Sequence, residues 1–161
     1  MRILISTLAF AAAMSVLLFT PERVNAQTSI DYVVLHQNDF ASGLTSKQTK
    51  VITTQEEYAA ILAGYSNEAP HQIDFQNGQV LLVDMGLRLS GGFNIEVTSV
   101  EERSKGSVSV QVRLRRPGRT CLAASVLTNP FQFVYIPSRR EILISENLET
   151  IECGPTLRFG K

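Results

Sequence analysis

The sequence has no tryptophan, two cysteines and two histidines among 161 residues. It also lacks an excess of either charge: Lys plus Arg total 15 and Asp plus Glu total 15. Each scarcity removes a class of function. A balanced charge leaves no electrostatic footprint for nucleic acid or an anionic membrane. Two separated histidines, His36 and His71, with no Cys/His cluster give no zinc pattern. The scattered acidic residues make no calcium loop. No metal or other cofactor is expected. Hydrolytic chemistry has little to stand on, because neither histidine is flanked by a nucleophile motif. Ser90 precedes two glycines, but Arg88 stands where a Gly-x-Ser-x-Gly elbow needs glycine. Asp84 and Glu96 could be imagined as an acid pair. Glu96 reads more simply as a solvent-face residue, and Asp84 as a partner of nearby backbone or of Arg88.

What is present begins with an export signal. Arg2 supplies a positive start, Ile3 to Phe19 is an apolar or small-residue run, Pro21 breaks it, and Val24-Asn25-Ala26 suits processing. The run falls short of the about 20 apolar residues of a membrane span. The expectation is a cleaved signal over residues 1–26, a single domain over residues 27–161, and a periplasmic or secreted bacterial location. Loss of Arg2, Glu22 and Arg23 would leave one more acidic than basic residue. No cysteine near the cleavage point offers a lipid-anchor site, so no stable membrane attachment is expected after processing. In an oxidising compartment Cys121 and Cys153 are expected to form one disulfide. Closing that loop is worth roughly 3 kcal/mol through the unfolded chain.

The chain reads as mainly antiparallel β with one short helix packed on it, an α+β domain with a curved sheet or partly closed barrel. Thr28 to Gln37 is strand-like. Lys50 to Thr53 is a short strand. Thr54-Gln55-Glu56-Glu57 opens a helix over residues 55–64, with Thr54 as cap and Glu57 placed to reach back to it. Tyr58, Ile61, Leu62 and Tyr65 form its apolar face. Val80 to Met85 is apolar on both faces, as in a strand covered on both sides. From Phe93 the pattern alternates strictly, through Ile95 and Val97. After a charged turn it resumes at Val108, Val110, Val112 and Leu114, giving an antiparallel hairpin. Phe131 to Ile136 is a further strand, expected to turn at Pro137 to Arg140 and pair with Ile142 to Ile144. The tail from Glu146 is expected to be irregular and held by Cys153.

The Gly91-Gly92 step between the apolar run and the hairpin reads as a bend or close backbone approach. A phosphate cradle would want a lysine that is missing. Arg113, Arg115, Arg116 and Arg119 make either a solvated hairpin face or a docking patch for an acidic partner protein.

Met85-Gly86-Leu87-Arg88-Leu89-Ser90-Gly91-Gly92-Phe93-Asn94-Ile95-Glu96-Val97 resembles the signature of the PrcB C-terminal-like family. In that family a Gly, a spacer and Thr/Ser-Gly-Gly-Tyr/Phe precede an alternating strand. A later Thr-x-Pro-aromatic step corresponds here to Thr128-Asn129-Pro130-Phe131. The resemblance spans residues 49–137, and Phe93 replaces the commoner Tyr. It implies a non-catalytic exported domain that binds another exported protein, assembling or stabilising a protease complex. Gly86, Ser90, Gly91, Gly92, Phe93 and Pro130 are expected to define the fold. The named family member is lipid-anchored, and this chain lacks the anchoring cysteine. Ser90-Gly91-Gly92-Phe93 also resembles the Thr-Thr-Gly-Tyr loop of chagasin-like cysteine-protease inhibitors. Arg115-Arg116-Pro117-Gly118 would be the second wedge loop, though that family's tryptophans are missing. The alternative function is therefore a loop-wedge protease inhibitor, and the third a small hydrolase.

Overall fold

The computed structural model describes residues 28–43, 45–103 and 106–154. The expected signal lies outside the described residues. Among the described residues eight strands and one helix follow in order: β1 Thr28–Ser29, β2 Val33–Asn38, β3 Gln48–Ile52, α1 Gln55–Leu62, β4 Gln79–Asp84, β5 Asn94–Glu102, β6 Val108–Pro117, β7 Phe131–Ile136 and β8 Ile142–Ile151. They make two four-stranded sheets, ordered β1-β5-β6-β8 and β2-β7-β4-β3. The α+β composition is as expected. The partly closed barrel is not: the sheets remain open and stack face to face, with α1 on the outer face of the second sheet.

Sequence periodicity explains the three layers. Along β4 every residue is buried. Leu81 and Val83 face the first sheet, packing with Ile95, Val97, Val110, Val112 and Val134. Val80 and Leu82 point the other way, into a cluster with Ile52, Tyr58, Leu62, Tyr65, Phe131 and Phe133. Strands buried on both faces read as continuous apolar runs, whereas β5 and β6 keep one wet face and alternate. The hairpin of β5 and β6 forms in the expected antiparallel register, Ile95 opposite Leu114 and Val97 opposite Val112. Beyond Val97 the register shifts by a bulge. The Val97 N–H and carbonyl are taken up by side chains from outside β6: Gln132 Oε1 accepts from the N–H at 2.7 Å, and Tyr32 Oη–H donates to the carbonyl at 2.9 Å. A buried backbone amide must find a partner, so Gln132 ties one sheet to the other at the place where the ladder slips.

α1 starts as read. The Thr54 hydroxyl accepts from the Glu57 N–H at 3.2 Å. The Glu57 carboxylate turns instead to the Lys50 ammonium at 2.9 Å, which holds its pKa below the ordinary glutamate range. Two expectations fail together at the C-terminal side. Ile142–Ile144 does not return beside Phe131–Ile136, and the chain from Glu146 to Ile151 is regular. Both edges of β7 are already taken, by β2 and β4. The chain therefore crosses to the other sheet, where β8 runs parallel to β6 over ten unbroken pairs, from Val108–Ile142 to Pro117–Ile151. The region of Thr28 to Gln37 likewise splits, its first residues pairing with β5 and its later ones with β7.

Candidate functional site

The end of β4 is fixed by a buried acid. The Asp84 carboxylate accepts from the Gly86 N–H at 2.6 Å and from the Tyr65 hydroxyl at 2.5 Å. Gln48 Nε2 donates to the same hydroxyl at 2.8 Å. Burial first, and the carboxylate beside it second, push the Tyr65 phenol well above its ordinary value. Asp84 thus holds nearby backbone, as expected, but its second partner is Tyr65 and not Arg88. The Arg88 guanidinium donates to the Met85 carbonyl and lies 5.6 Å from the Phe93 ring centre. Gly86 has φ +72°, and a Cβ there would sit 2.4 Å from the Lys47 nitrogen. Only glycine suits this turn.

From that turn the two motif stretches run side by side. The Arg88 N–H donates to Thr128 O at 2.7 Å and the Thr128 N–H returns to Arg88 O at 3.0 Å. The Thr128 hydroxyl donates to the Ser90 carbonyl at 2.9 Å. The Met85 N–H donates to the carbonyl of Pro130, which is buried. The Gly91 N–H donates to Ala124 O at 2.9 Å. Gly92, at φ +85°, lies against the Pro117 ring. Phe93 then packs against the core between the sheets.

This arrangement walls a surface cavity of about 300 Å³. Gly91, Gly92, Pro117, Leu122, Ala124 and Ile151 line it, together with Cys121 and Cys153. The two cysteines are joined as a disulfide with Cα atoms 4.8 Å apart. The bridge pins the loop after β6 to the end of β8, as expected for the pair. Leu122 is 93 % exposed. A cavity of this size is at the small end of sites that take organic groups; its walls suit an apolar side chain and supply no catalytic acid or base. Asn94 and Arg115 are the polar side chains at its edge.

The arginines do not share one face. Arg113 and Arg115 point outward and both reach Glu149 at 3.3 Å, while Arg113 also stands 3.5 Å from Glu96. Arg116 belongs to β6 with its side chain on the other face, donating to the Thr150 hydroxyl at 2.9 Å. Arg119 is exposed in the following turn. The histidines lie elsewhere, under α1. Their rings are 4.9 Å apart, and His36 Nδ1 is 2.8 Å from Glu68 Oε2. Among the described residues His36 meets an acid but no hydroxyl or thiol nucleophile. Its Nε2 is buried without a hydrogen-bond partner.

Sequence reasoning found the glycines and the cysteines but not that they meet. It also passed over Leu122, Ala124 and Ile151. The available signal was Leu122-Ala123-Ala124-Ser125-Val126-Leu127, an apolar stretch directly after a cysteine, in which Val126 and Leu127 are also exposed.

Compared with known families, residues 79–137 match the model for PrcB C-terminal. The match runs from the first residue of β4 to just beyond β7, so it holds both motif stretches and starts later than the expected residue 49. The resemblance to the PrcB C-terminal family stands over that segment. No curated protein and no solved structure matches the chain.

Proposed function

We propose that this chain is an exported, non-catalytic accessory domain that binds another exported protein, a component of a protease complex in the first instance. The observation that supports this reading is the apolar cavity lined by the Gly91-Gly92 step of the PrcB-like segment, with the exposed Leu122 among its lining residues. Exposed apolar surface beside a rigid recess is the usual signature of a protein-binding site. The β sandwich supplies the rigidity and the Cys121–Cys153 bridge fixes the loop that bears Leu122. The test is photo-cross-linking from position 122 in the compartment where the chain resides. Recovery of an exported protease or its subunit, lost in a Gly91→Trp variant that keeps its fold, is the expected result. Labelling of no protease component, or labelling indifferent to filling the cavity, overturns the reading.

A loop-wedge protease inhibitor is the second reading. It is favoured by the contact of Gly92 with Pro117, which sets the two expected wedge segments side by side. Against it, Arg115 to Pro117 are strand residues paired with Glu149 to Ile151 and not a free loop. Titration of a papain-type protease with the chain separates the two readings: falling activity supports the wedge, and unchanged rates remove it.

A further inference from the structure

The four outer edges of the two sheets are not alike. β1 has two residues, too few to template another strand. β2 is broken by a register shift between Val34 and His36. β3 has five residues and carries Lys50. These are three of the ways in which proteins blunt an edge. β8 has none of them. It runs for ten residues without proline, glycine, lysine or bulge, and Leu143, Ile144, Leu148 and Ile151 are between 37 % and 53 % exposed.

Its free hydrogen-bonding groups follow from the ladder. The Val108 N–H donates to Glu141 O at 2.8 Å and the Gly118 N–H to Ile151 O at 2.9 Å. Odd-numbered residues therefore face β6 at both ends of an unbroken register. In a parallel pair alternate residues point to opposite sides. Ile142, Ile144, Glu146, Leu148 and Thr150 thus present their N–H and C=O groups outward, where no described residue takes them.

Charge selects among occupants. From Glu141 to Gly154 the chain has Glu141, Glu146, Glu149 and Glu152 and no lysine or arginine. Lys47 pairs with Glu146, and Arg113 and Arg115 with Glu149, which leaves Glu141 and Glu152 at the two ends. A second copy pairing antiparallel must set outward residue opposite outward residue, and the register that uses all five, Ile142 opposite Thr150, sets Glu146 opposite Glu146 at its centre. Like charges directly opposite destabilise a strand pair. We propose that the outer edge of β8 receives an extended segment of a partner protein, basic at its ends and apolar at alternate positions, which joins the sheet as a fifth strand. This edge meets the cavity at Gly91 and Gly92 only through Ile151 at the end of β8, and it stands or falls without a protease.

The test is amide hydrogen exchange on the full chain, with and without a synthetic peptide of alternating lysine and valine as long as β8. The peptide should slow exchange at Ile144, Glu146 and Leu148 and leave the already bonded odd-numbered amides unchanged. Leu148→Pro removes one outward donor and should weaken peptide binding about tenfold, the worth of a lost edge hydrogen bond plus its side-chain contact, whereas Leu148→Val should retain binding. A glutamate–valine peptide of the same length should give little protection to the wild-type chain, a comparison that holds even if the proline variant does not fold. The proposal is overturned if the basic peptide protects nothing, or if the acidic peptide protects equally well. It is also overturned if the even-numbered amides are slow without peptide. Independence of protein concentration would then assign the edge to the chain's own residues beyond Gly154, and dependence to a second copy.

Discussion

The two cores of this protein are built from different residues and hold their polar groups differently. Between the sheets the buried apolar residues are aliphatic, with valines from β4, β5, β6 and β7 interleaved. Under α1 the layer is aromatic: the Phe133 ring meets those of Tyr58, Tyr65, Phe131 and His36. The aliphatic layer buries one polar bridge, Gln132, whose two ends are both bonded, to Val97 and to Gln37. The aromatic layer buries the Asp84–Tyr65 pair and the unpartnered His36 Nε2 and Tyr58 hydroxyl. Alternating strands fill a space with small branched side chains that need no polar partner. A single short helix over a sheet leaves a deeper and less regular space, which rings fill and polar tips must stitch.

The largest break of this contrast is Phe133→Ala. The side chain is fully buried and makes edge contacts with four rings. Truncation should cost about 3–5 kcal/mol in chemical denaturation, with Leu81→Ala in the aliphatic layer costing about 2–5 kcal/mol. Phe133→Leu should recover much of the loss only if ring packing is secondary to volume; a small recovery shows that the ring contacts themselves matter.

Tyr65→Phe tests the polar stitching. It leaves a buried Asp84 oxygen without its donor and should cost about 1–3 kcal/mol. Because the folded phenol titrates above its ordinary value, the unfolded chain loses this proton first as pH rises. The contribution is fully present below pH about 10 and is lost as pH climbs through the folded value. Alkaline unfolding curves of wild type should therefore fall more steeply above that pH than those of Tyr65→Phe, and parallel curves would remove Tyr65 as the cause.

Legibility follows the same division. The aliphatic layer could be read from the alternation of Val108, Val110, Val112 and Leu114, because one buried face forces a period of two. The two-sided burial of β4 was equally plain. Gln132 was invisible, since its role depends on a bulge in a strand 35 residues away. β8 was legible only at its start, Ile142 to Ile144, and its remainder was hidden for another reason. Glu146, Asn147, Glu149 and Thr150 give it the composition of a tail, and an edge strand needs no continuous apolar face. At the cavity, Gly91 and Gly92 were read as a bend, and φ +85° at Gly92 agrees. Gly91 is less constrained: a Cβ there would make only ordinary contacts, at 3.8 Å.

That difference gives the third test. Gly92→Val forces a branched side chain into a left-handed backbone and against Pro117, and should cost about 1–3 kcal/mol. Gly91→Ala should cost less than about 1 kcal/mol, or even gain through the unfolded chain. The entry to the aliphatic layer is thus expected to be sensitive at one glycine and tolerant at its neighbour. Equal melting shifts for the two variants would mean that Gly92 is not what turns the chain toward Phe93.

The smallest expected effect separates the cores most cleanly. Thr54 caps a helix of eight residues, too short to stand without the sheet beneath it. The cap satisfies the Glu57 N–H. Thr54→Ala should cost about 1 kcal/mol. If the layers open independently, amides of α1 should exchange about fivefold faster, the rate equivalent of that free energy, while those of Val97, Val110 and Val112 stay at the wild-type rate. Equal acceleration in both places would mean that β4, shared by the two layers, transmits the loss, and that the sandwich and its helix unfold as one unit.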